Sequence, residues 1–111
     1  MKNDEIIDDV SGFAMPSASK FDVFKLFSLK KRTIVITGSA QGIGRVAAIA
    51  CGKAGGNIAI TDKDLKAANK LEIELKDAGI NAKSWELDVI SENKIIEVFE
   101  NISSHFGSLD V

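Results

Sequence analysis

Three glycines in one short segment are spaced for binding a phosphate group. The segment runs from Thr37 to Gly44 and reads TGSAQGIG. It follows a strand-like run and opens a helix-like run, and such a turn leaves backbone N–H groups unpaired at the positive end of a helix dipole. Gly38 would turn the chain sharply, Gly42 would let a phosphate approach the backbone, and Gly44 would let the helix lie close on the strand. The segment therefore predicts a site for the pyrophosphate of a dinucleotide.

An acidic residue follows this segment at a distance suited to a ribose. Asp62 stands eighteen residues after Gly44, near the spacing of about twenty at which a carboxylate can hydrogen-bond the adenosine ribose hydroxyls. A carboxylate there would repel the 2′-phosphate of NADP, and this favours NAD as the cofactor. Lys63 is the one nearby cation, and because it could bind that phosphate, NADP stays an alternative. The alternative role of Asp62 is to cap the following helix, but Asp64 can serve there instead.

The other reactive residue types have no partner in any motif. Arg45 lies in the first turn of the predicted helix, where either a phosphate or solvent would hold it. Cys51 lies in a run of small residues and is predicted to pack in the core, as is Trp85. His105 is predicted to be solvated near a helix end. An ATPase P-loop is excluded because Arg45 and Val46, not Lys and Ser or Thr, follow the last glycine. No metal site is predicted.

Alternating strand-like and helix-like segments would position these residues. The predicted strands are Thr33–Thr37, Asn57–Thr61 and Ala82–Leu87, with Leu109–Val111 as the start of a fourth. The predicted helices are Gly42–Ala54, Asp64–Ala78 and a segment capped by Ser91 that ends at Gly107. The first strand is β-branched throughout, which is typical of a parallel strand buried on both faces. The order predicts a Rossmann-type, doubly wound parallel α/β sheet, truncated to three strands plus the start of a fourth.

Composition excludes several classes of protein. The chain has 111 residues, 45% of them hydrophobic, which fits one globular domain. Fourteen basic and sixteen acidic side chains give a net charge of -2, so there is no overall positive field to hold nucleic acid or an anionic membrane. No apolar run approaches the ~20 residues of a membrane helix, and the acidic N-terminus lacks a signal-peptide pattern. We expect a cytoplasmic protein.

The first 28 residues are predicted to be an N-terminal extension, and residues 29–111 a partial NAD(P)-binding Rossmann domain. The extension contains four of the six phenylalanines, namely Phe13, Phe21, Phe24 and Phe27. Together with Val23 and Leu26, the last three suit a short helix. We expect it to lie on its own domain, and a partner subunit is the alternative.

Three motifs resemble those of the short-chain dehydrogenases/reductases. The family's TGxxxGxG pattern is matched by Thr37, Gly38, Gly42 and Gly44. Further along, Leu87-Asp88-Val89 resembles the family's LDV stretch, and FGSLDV at residues 106–111 resembles its FGxLDV. The resemblance covers the chain from about Leu29 onward. The leader Phe27-Ser28-Leu29 is somewhat similar to that of fungal sugar-alcohol and ketose reductases.

The resemblance implies an NAD(P)-dependent oxidoreductase that transfers hydride between nicotinamide and an alcohol or ketone. It places the side chain of Asp88 against adenine and Val89 in the wall of the pocket. Gln41 stands where NADP-preferring members often carry Arg or Lys, which favours NAD, and Lys31 replaces a common glycine, so the entry turn is expected to differ. The predicted cofactor-binding residues are Thr37, Gly38, Ser39, Gln41, Gly42, Ile43, Gly44, Asp62, Asp88 and Val89.

The catalytic residues of the family are not assigned within this sequence. The family uses a Tyr, a Lys and a Ser that follow the fourth strand, and this chain contains no tyrosine. We therefore expect the chain to be the cofactor-binding half of a longer enzyme, homo-oligomeric when complete. The alternative is a stand-alone, non-catalytic nucleotide-binding fragment. In either case the first strand should leave an apolar edge uncovered, with poor independent stability.

Overall fold

A computed structural model describes residues 17–111, in which three strands alternate with helices. Residues 1–16 of the predicted extension, with Phe13, lie outside the described residues. A 3-10 turn at Ala18–Lys20 is followed by α1 (Val23–Leu26), β1 (Thr33–Thr37), α2 (Gly42–Lys53), β2 (Asn57–Asp62), α3 (Leu65–Asp77), β3 (Ala82–Glu86) and α4 (Glu92–Phe106). The predicted βαβ order is confirmed, with the ends of elements shifted by at most one residue.

The three strands form one parallel sheet in the order β1-β2-β3. Thr33 pairs with Asn57 and Ile58 pairs with Ala82, so each strand is offset from the next by 24 residues. The central strand β2 is buried on both faces. Ile58 and Ile60 contact one apolar cluster, and Ala59 contacts the other.

Helices cover both faces of this sheet. Buried side chains of α2 and α3 pack on one face, contributed by Ala48, Ala68, Leu71 and Leu75. Val98 and Ile102 of α4 pack on the opposite face. The partly buried Cys51 and Trp85 pack against these two clusters, as predicted. Helices on both faces of a parallel sheet confirm the doubly wound class.

The outer side of β1 is partly covered by the last residues of the chain. The N–H groups of Asp110 and Val111 donate to the Thr33 carbonyl at 2.9 and 3.1 Å, and Val35 N–H donates to the Val111 carbonyl at 2.9 Å. The Asp110 carboxylate also accepts from Thr33 N–H at 2.8 Å and from the Ser108 hydroxyl at 3.1 Å. Our expectation of an uncovered edge is wrong over these residues, because the predicted fourth strand begins beside β1.

The segment before β1 forms the short helix that was predicted, and its phenylalanines are largely exposed instead of buried on the domain. Asp22 caps α1 by accepting from Phe24 N–H at 3.0 Å and from Lys25 N–H at 3.3 Å. Phe24 and Phe27 are 84% and 74% exposed. Val23, Phe24 and Phe27 line an open cleft with Lys53 and Ala54 at the end of α2, so they lie beside the domain but remain open to solvent.

Candidate functional site

The turn between β1 and α2 has the backbone shape that its glycines allow. Gly38 and Gly42 have φ angles of +63° and +64°, a region that L-residues rarely adopt. The first backbone bond of α2 runs from Arg45 N–H to the Gln41 carbonyl at 3.4 Å. The N–H groups at positions 42–44 therefore have no partner within the helix. They are positioned to donate to an anion.

Gly44 is required for a different reason, which is close packing. A Cβ atom at this position would run into the Gly38 carbonyl oxygen and lie 2.9 Å from the Ser39 Cα. Only glycine lets the first turn of α2 lie this close to the end of β1. The predicted packing role of Gly44 is confirmed.

Ser39 fixes the turn to the neighbouring strand. Its side chain is fully buried, and its hydroxyl accepts from Thr61 N–H at 3.1 Å and donates to the Thr61 carbonyl at 3.3 Å. The Ser39 N–H donates to the same carbonyl at 3.1 Å. The Ser39 hydroxyl thus faces β2 and holds the turn in place. Cofactor binding by Ser39 stays a prediction.

Asp62 is the last residue of β2 and lies beside the turn. It is 7% exposed, and its carboxylate accepts from Ala40 N–H at 3.0 Å and from Asp64 N–H at 2.9 Å. The cap of α3 is Asp64, which accepts from Ala67 N–H at 3.1 Å. The alternative role of Asp62 as the helix cap is therefore wrong.

An open cleft of about 400 Å³ lies where the three strands end. It is lined by Gly38, Gln41, Asp62, Lys63, Leu87, Asp88, Val89 and Ile90. Five of the ten predicted cofactor-binding residues thus meet in one place, although they come from three separate segments. Ligands of open parallel sheets bind at this end of the strands.

The wall of this cleft combines carboxylates with apolar surface. The exposed Asp88 carboxylate accepts from Ile90 N–H at 3.2 Å. Val89 and Ile90 are 54% and 87% exposed, and they offer apolar area to a flat ring. Ile90 was not predicted, and its place directly after the Asp88-Val89 pair was the available signal. Of the other predicted residues, Thr37 and Ile43 are exposed at either end of the glycine turn, outside the cleft lining.

Arg45 has a partner that neither sequence alternative included. Its guanidinium donates to both oxygens of Glu74 on α3, at 2.8 and 2.9 Å. The hydrogen bond and charge of Arg45 hold the pKa of the Glu74 carboxyl below its usual value, and Glu74 raises the pKa of Arg45. Arg45 thus links α2 to α3 and is not committed to a phosphate. No motif marks a pair that is 29 residues apart.

Within residues 17–111, no helix is long and apolar enough to cross a membrane. The same residues contain no group of three or more His, Cys, Asp or Glu that could hold a metal ion. His105 is exposed and contacts the rings of Trp85 and Phe106 edge-on, at centroid distances of 5.8 and 4.6 Å. Among the described residues, the cleft therefore offers backbone donors, two carboxylates, the Lys63 ammonium, the Gln41 amide and apolar surface.

Residues 32–111 match the family model of the short chain dehydrogenases. Sorbose reductase of Candida albicans is 34% identical over 81% of this chain and 32% of its own length. The 5-keto-D-gluconate 5-reductase of Escherichia coli is 38% identical over 78% of this chain and 34% of its own. A Yarrowia lipolytica protein assigned as an NADP-dependent mannitol dehydrogenase is 31% identical over 87% of this chain and 34% of its own. The expected similarity to fungal sugar-alcohol and ketose enzymes is confirmed.

Solved structures of the same kind share the fold. A hydroxysteroid dehydrogenase from Escherichia coli has a TM-score of 0.74 at 28% identity, over 76% of this chain and 36% of that structure. A Haemophilus influenza structure assigned as a D-mannonate oxidoreductase, with bound NAD, has a TM-score of 0.73 at 28% identity, over 80% and 32%. The chain spans about a third of the length of the proteins that it matches.

Proposed function

Since the chain belongs to the short-chain dehydrogenase/reductase family, we propose that it supplies the dinucleotide-binding part of an NAD(P)-dependent oxidoreductase. The observation that carries the proposal is the position of Asp62, which lies in one cleft with Gly38 and Asp88 at the carboxyl ends of the strands. Three unpaired N–H groups at positions 42–44 would bind the pyrophosphate. Asp62 would accept hydrogen bonds from the ribose, and Asp88, Val89 and Ile90 would surround the adenine.

The reaction that we propose for the whole protein is hydride transfer between nicotinamide and an alcohol or ketone. The nicotinamide carries the hydride, and the protein orients it and excludes competing reactions. We assign no acid or base role to any residue of this chain, because the family uses a tyrosine there and this sequence contains none. The part of this chain is to bind and orient the dinucleotide.

A polyol or a ketose is the substrate class that we propose. The support comes from the names of relatives, since sorbose, 5-keto-D-gluconate and mannitol all carry several hydroxyl groups. A cytoplasmic location and a homo-oligomeric complete protein stay predictions.

NAD is the cofactor that we propose, and NADP is the alternative. The Asp62 carboxylate would lie close to the ribose and repel a 2′-phosphate. Gln41 adds no cation to the cleft, whereas Lys63 also lines it and could accommodate that phosphate. The Yarrowia relative that is assigned to NADP shows why the choice has to be measured.

Thermal unfolding with each cofactor tests this proposal. A ligand that binds only the folded state raises the melting temperature more when its affinity is higher. NADH should therefore raise the melting temperature of the chain more than NADPH does at equal concentration. Asp62→Ala should narrow the difference, and Asp77→Ala, which removes an exposed carboxylate at the end of α3, should leave it unchanged. Equal stabilisation by both cofactors would contradict the preference for NAD, and no stabilisation by either would contradict dinucleotide binding.

A further inference from the structure

The carboxylate of Asp62 is already engaged by the protein itself. One oxygen accepts from Ala40 N–H at 3.0 Å and the other from Asp64 N–H at 2.9 Å, and the residue is 7% exposed. Resting on the proposed function, we propose that Asp62 is a positioning residue for the phosphate site. Its carboxylate holds Ala40, and through Ala40 it sets the direction of the N–H groups at positions 42–44.

The chain between β1 and α2 has few other anchors. Ser39 is tied to Thr61 by its N–H and its hydroxyl, and α2 begins at Gly42. Only Ala40 and Gln41 lie between these two points. A hydrogen bond at Ala40 therefore decides the path by which the turn enters the helix, where Gly38 and Gly42 would otherwise allow many conformations.

A carboxylate suits this position better than any neutral side chain. It offers two acceptor oxygens, and hydrogen bonds to a charged acceptor are about twice as strong as neutral ones. An amide would place its own NH₂ against one of the two N–H donors. Loss of the carboxylate would leave both N–H donors, which are partly buried, without their protein partner.

Positioning and ribose contact predict opposite changes for a ligand that lacks ribose. Inorganic pyrophosphate is such a ligand, and removal of a nearby negative charge would by charge alone strengthen its binding. If Asp62 holds the turn in place, Asp62→Ala should instead weaken the binding of pyrophosphate. Loss of the turn's shape should also weaken NADH and NADPH alike, because both carry a pyrophosphate. The narrower difference between the two cofactors expected for Asp62→Ala comes separately, from removal of the charge that repels the 2′-phosphate.

Amide NMR on the 111-residue chain tests the proposal, with inorganic pyrophosphate as the probe. In the unmutated chain, pyrophosphate should shift the amide signals of Gly42, Ile43 and Gly44. In Asp62→Ala the dissociation constant should rise about tenfold, as expected when a partly buried donor loses a charged partner. Asp77→Ala should change it by less than about twofold, because this exposed carboxylate lies at the far end of α3.

Each result decides between the two roles. Unchanged or tighter pyrophosphate binding by Asp62→Ala would overturn the positioning role and leave the proposed function intact. The positioning role would also be overturned if the unmutated chain bound NADH but pyrophosphate did not shift the amide signals of Gly42, Ile43 and Gly44. An unmutated chain that binds neither ligand would overturn the proposed function.

If Asp62→Ala does not fold, hydrogen exchange of the Ala40 amide in the unmutated chain tests whether Asp62 holds Ala40. A protected amide supports the proposal, and exchange at the rate of an unprotected amide overturns it.

Discussion

The two ends of β1 are held by different kinds of contact. At the carboxyl end, the glycine turn is fixed by buried groups, the hydroxyl of Ser39 and the carboxylate of Asp62. At the amino end, Thr33 N–H is bound by the exposed carboxylate of Asp110, and the preceding helix α1 exposes its phenylalanines.

The two ends of β1 therefore have different tasks: the carboxyl end holds a binding turn in one arrangement, and the amino end only attaches the strand to its neighbours. Buried hydrogen bonds in a region of low dielectric are poorly screened and hold atoms in one arrangement, which an anion site needs. The amino end only has to join β1 to neighbouring segments. There the buried Thr33 is bound by a carboxylate on an exposed residue, which solvent and salt can reach. Changes at the carboxyl end should therefore affect binding and stability together, and changes at the amino end should affect stability alone.

The largest effect is expected from Gly44→Ala, which alters the carboxyl end. The added methyl group would collide with the Gly38 carbonyl, so the turn and α2 must move apart. We expect the free energy of unfolding to fall by about 2 to 3 kcal/mol, with loss of the stabilisation by NADH. Chemical denaturation with and without NADH measures both quantities.

Gly79→Ala is the matched control for that variant. Gly79 has a φ angle of +81°, a methyl group added there would meet open space, and the residue lies outside the cleft. The substitution should cost about 1 kcal/mol of backbone strain and keep the stabilisation by NADH. If Gly44→Ala also retained that stabilisation in full, close packing at the carboxyl end would not be needed for binding.

A smaller effect, dependent on pH, is expected at the amino end. The hydrogen bonds from Thr33 N–H and the Ser108 hydroxyl lower the pKa of Asp110 in the folded chain. Because the folded pKa lies below the unfolded value of about 3.9, the contribution to stability is complete above that value. It is lost as the pH falls through the folded pKa.

Melting temperatures of the unmutated chain and of Asp110→Asn, measured from about pH 6 down to about pH 2, test this expectation. The difference between the two proteins should be largest at about pH 6 and should shrink below about pH 4. Asp77→Asn provides the control for removal of an acidic side chain. A difference that stays constant over the whole range would show that Asp110 does not act through its charge.

The smallest effect is expected from Phe24→Ser in α1. Because Phe24 is 84% exposed, the free energy of unfolding should change by less than about 0.5 kcal/mol. Ile60→Val, which removes one methyl group from a fully buried side chain, should cost about 0.5 to 1.5 kcal/mol. A larger loss from Phe24→Ser than from Ile60→Val would mean that α1 packs on this domain after all.

Features encoded over short stretches of sequence were predictable. The glycine spacing from Thr37 to Gly44 and the β-branched run before it identified a strand, a turn and a helix, because these patterns reflect local backbone preferences. The cap at Ser91 followed from the same kind of local rule, and its hydroxyl accepts from Lys94 N–H at 3.4 Å.

Contacts between distant residues were not predictable in the same way. The bonds from Arg45 to Glu74 and from Ala40 to Asp62 join residues 29 and 22 positions apart. They depend on the packing of helices and strands, which no local pattern contains. Exposure of α1 was missed because apolar composition alone does not show whether one face can be buried.

At Lys31 the sequence offered a local signal, but not the conformation that the backbone adopts. It replaces a common family glycine, and its φ angle is +67°, the left-handed conformation that glycine adopts easily. The expected difference in the entry turn stays a prediction. The backbone at Lys31 thus has a conformation that suits glycine, and a lysine there is strained.

The offsets between paired segments also bear on the order in which the sheet assembles. Pairing of β1 with β2, and of β2 with β3, each closes a stretch of 24 residues, whereas the bond from Thr33 to Asp110 closes one of 77. The longer closure costs about 1 kcal/mol more in chain entropy. We therefore expect the two βαβ closures to form first during folding. The contact of the last residues with β1 should form last and be the first to open.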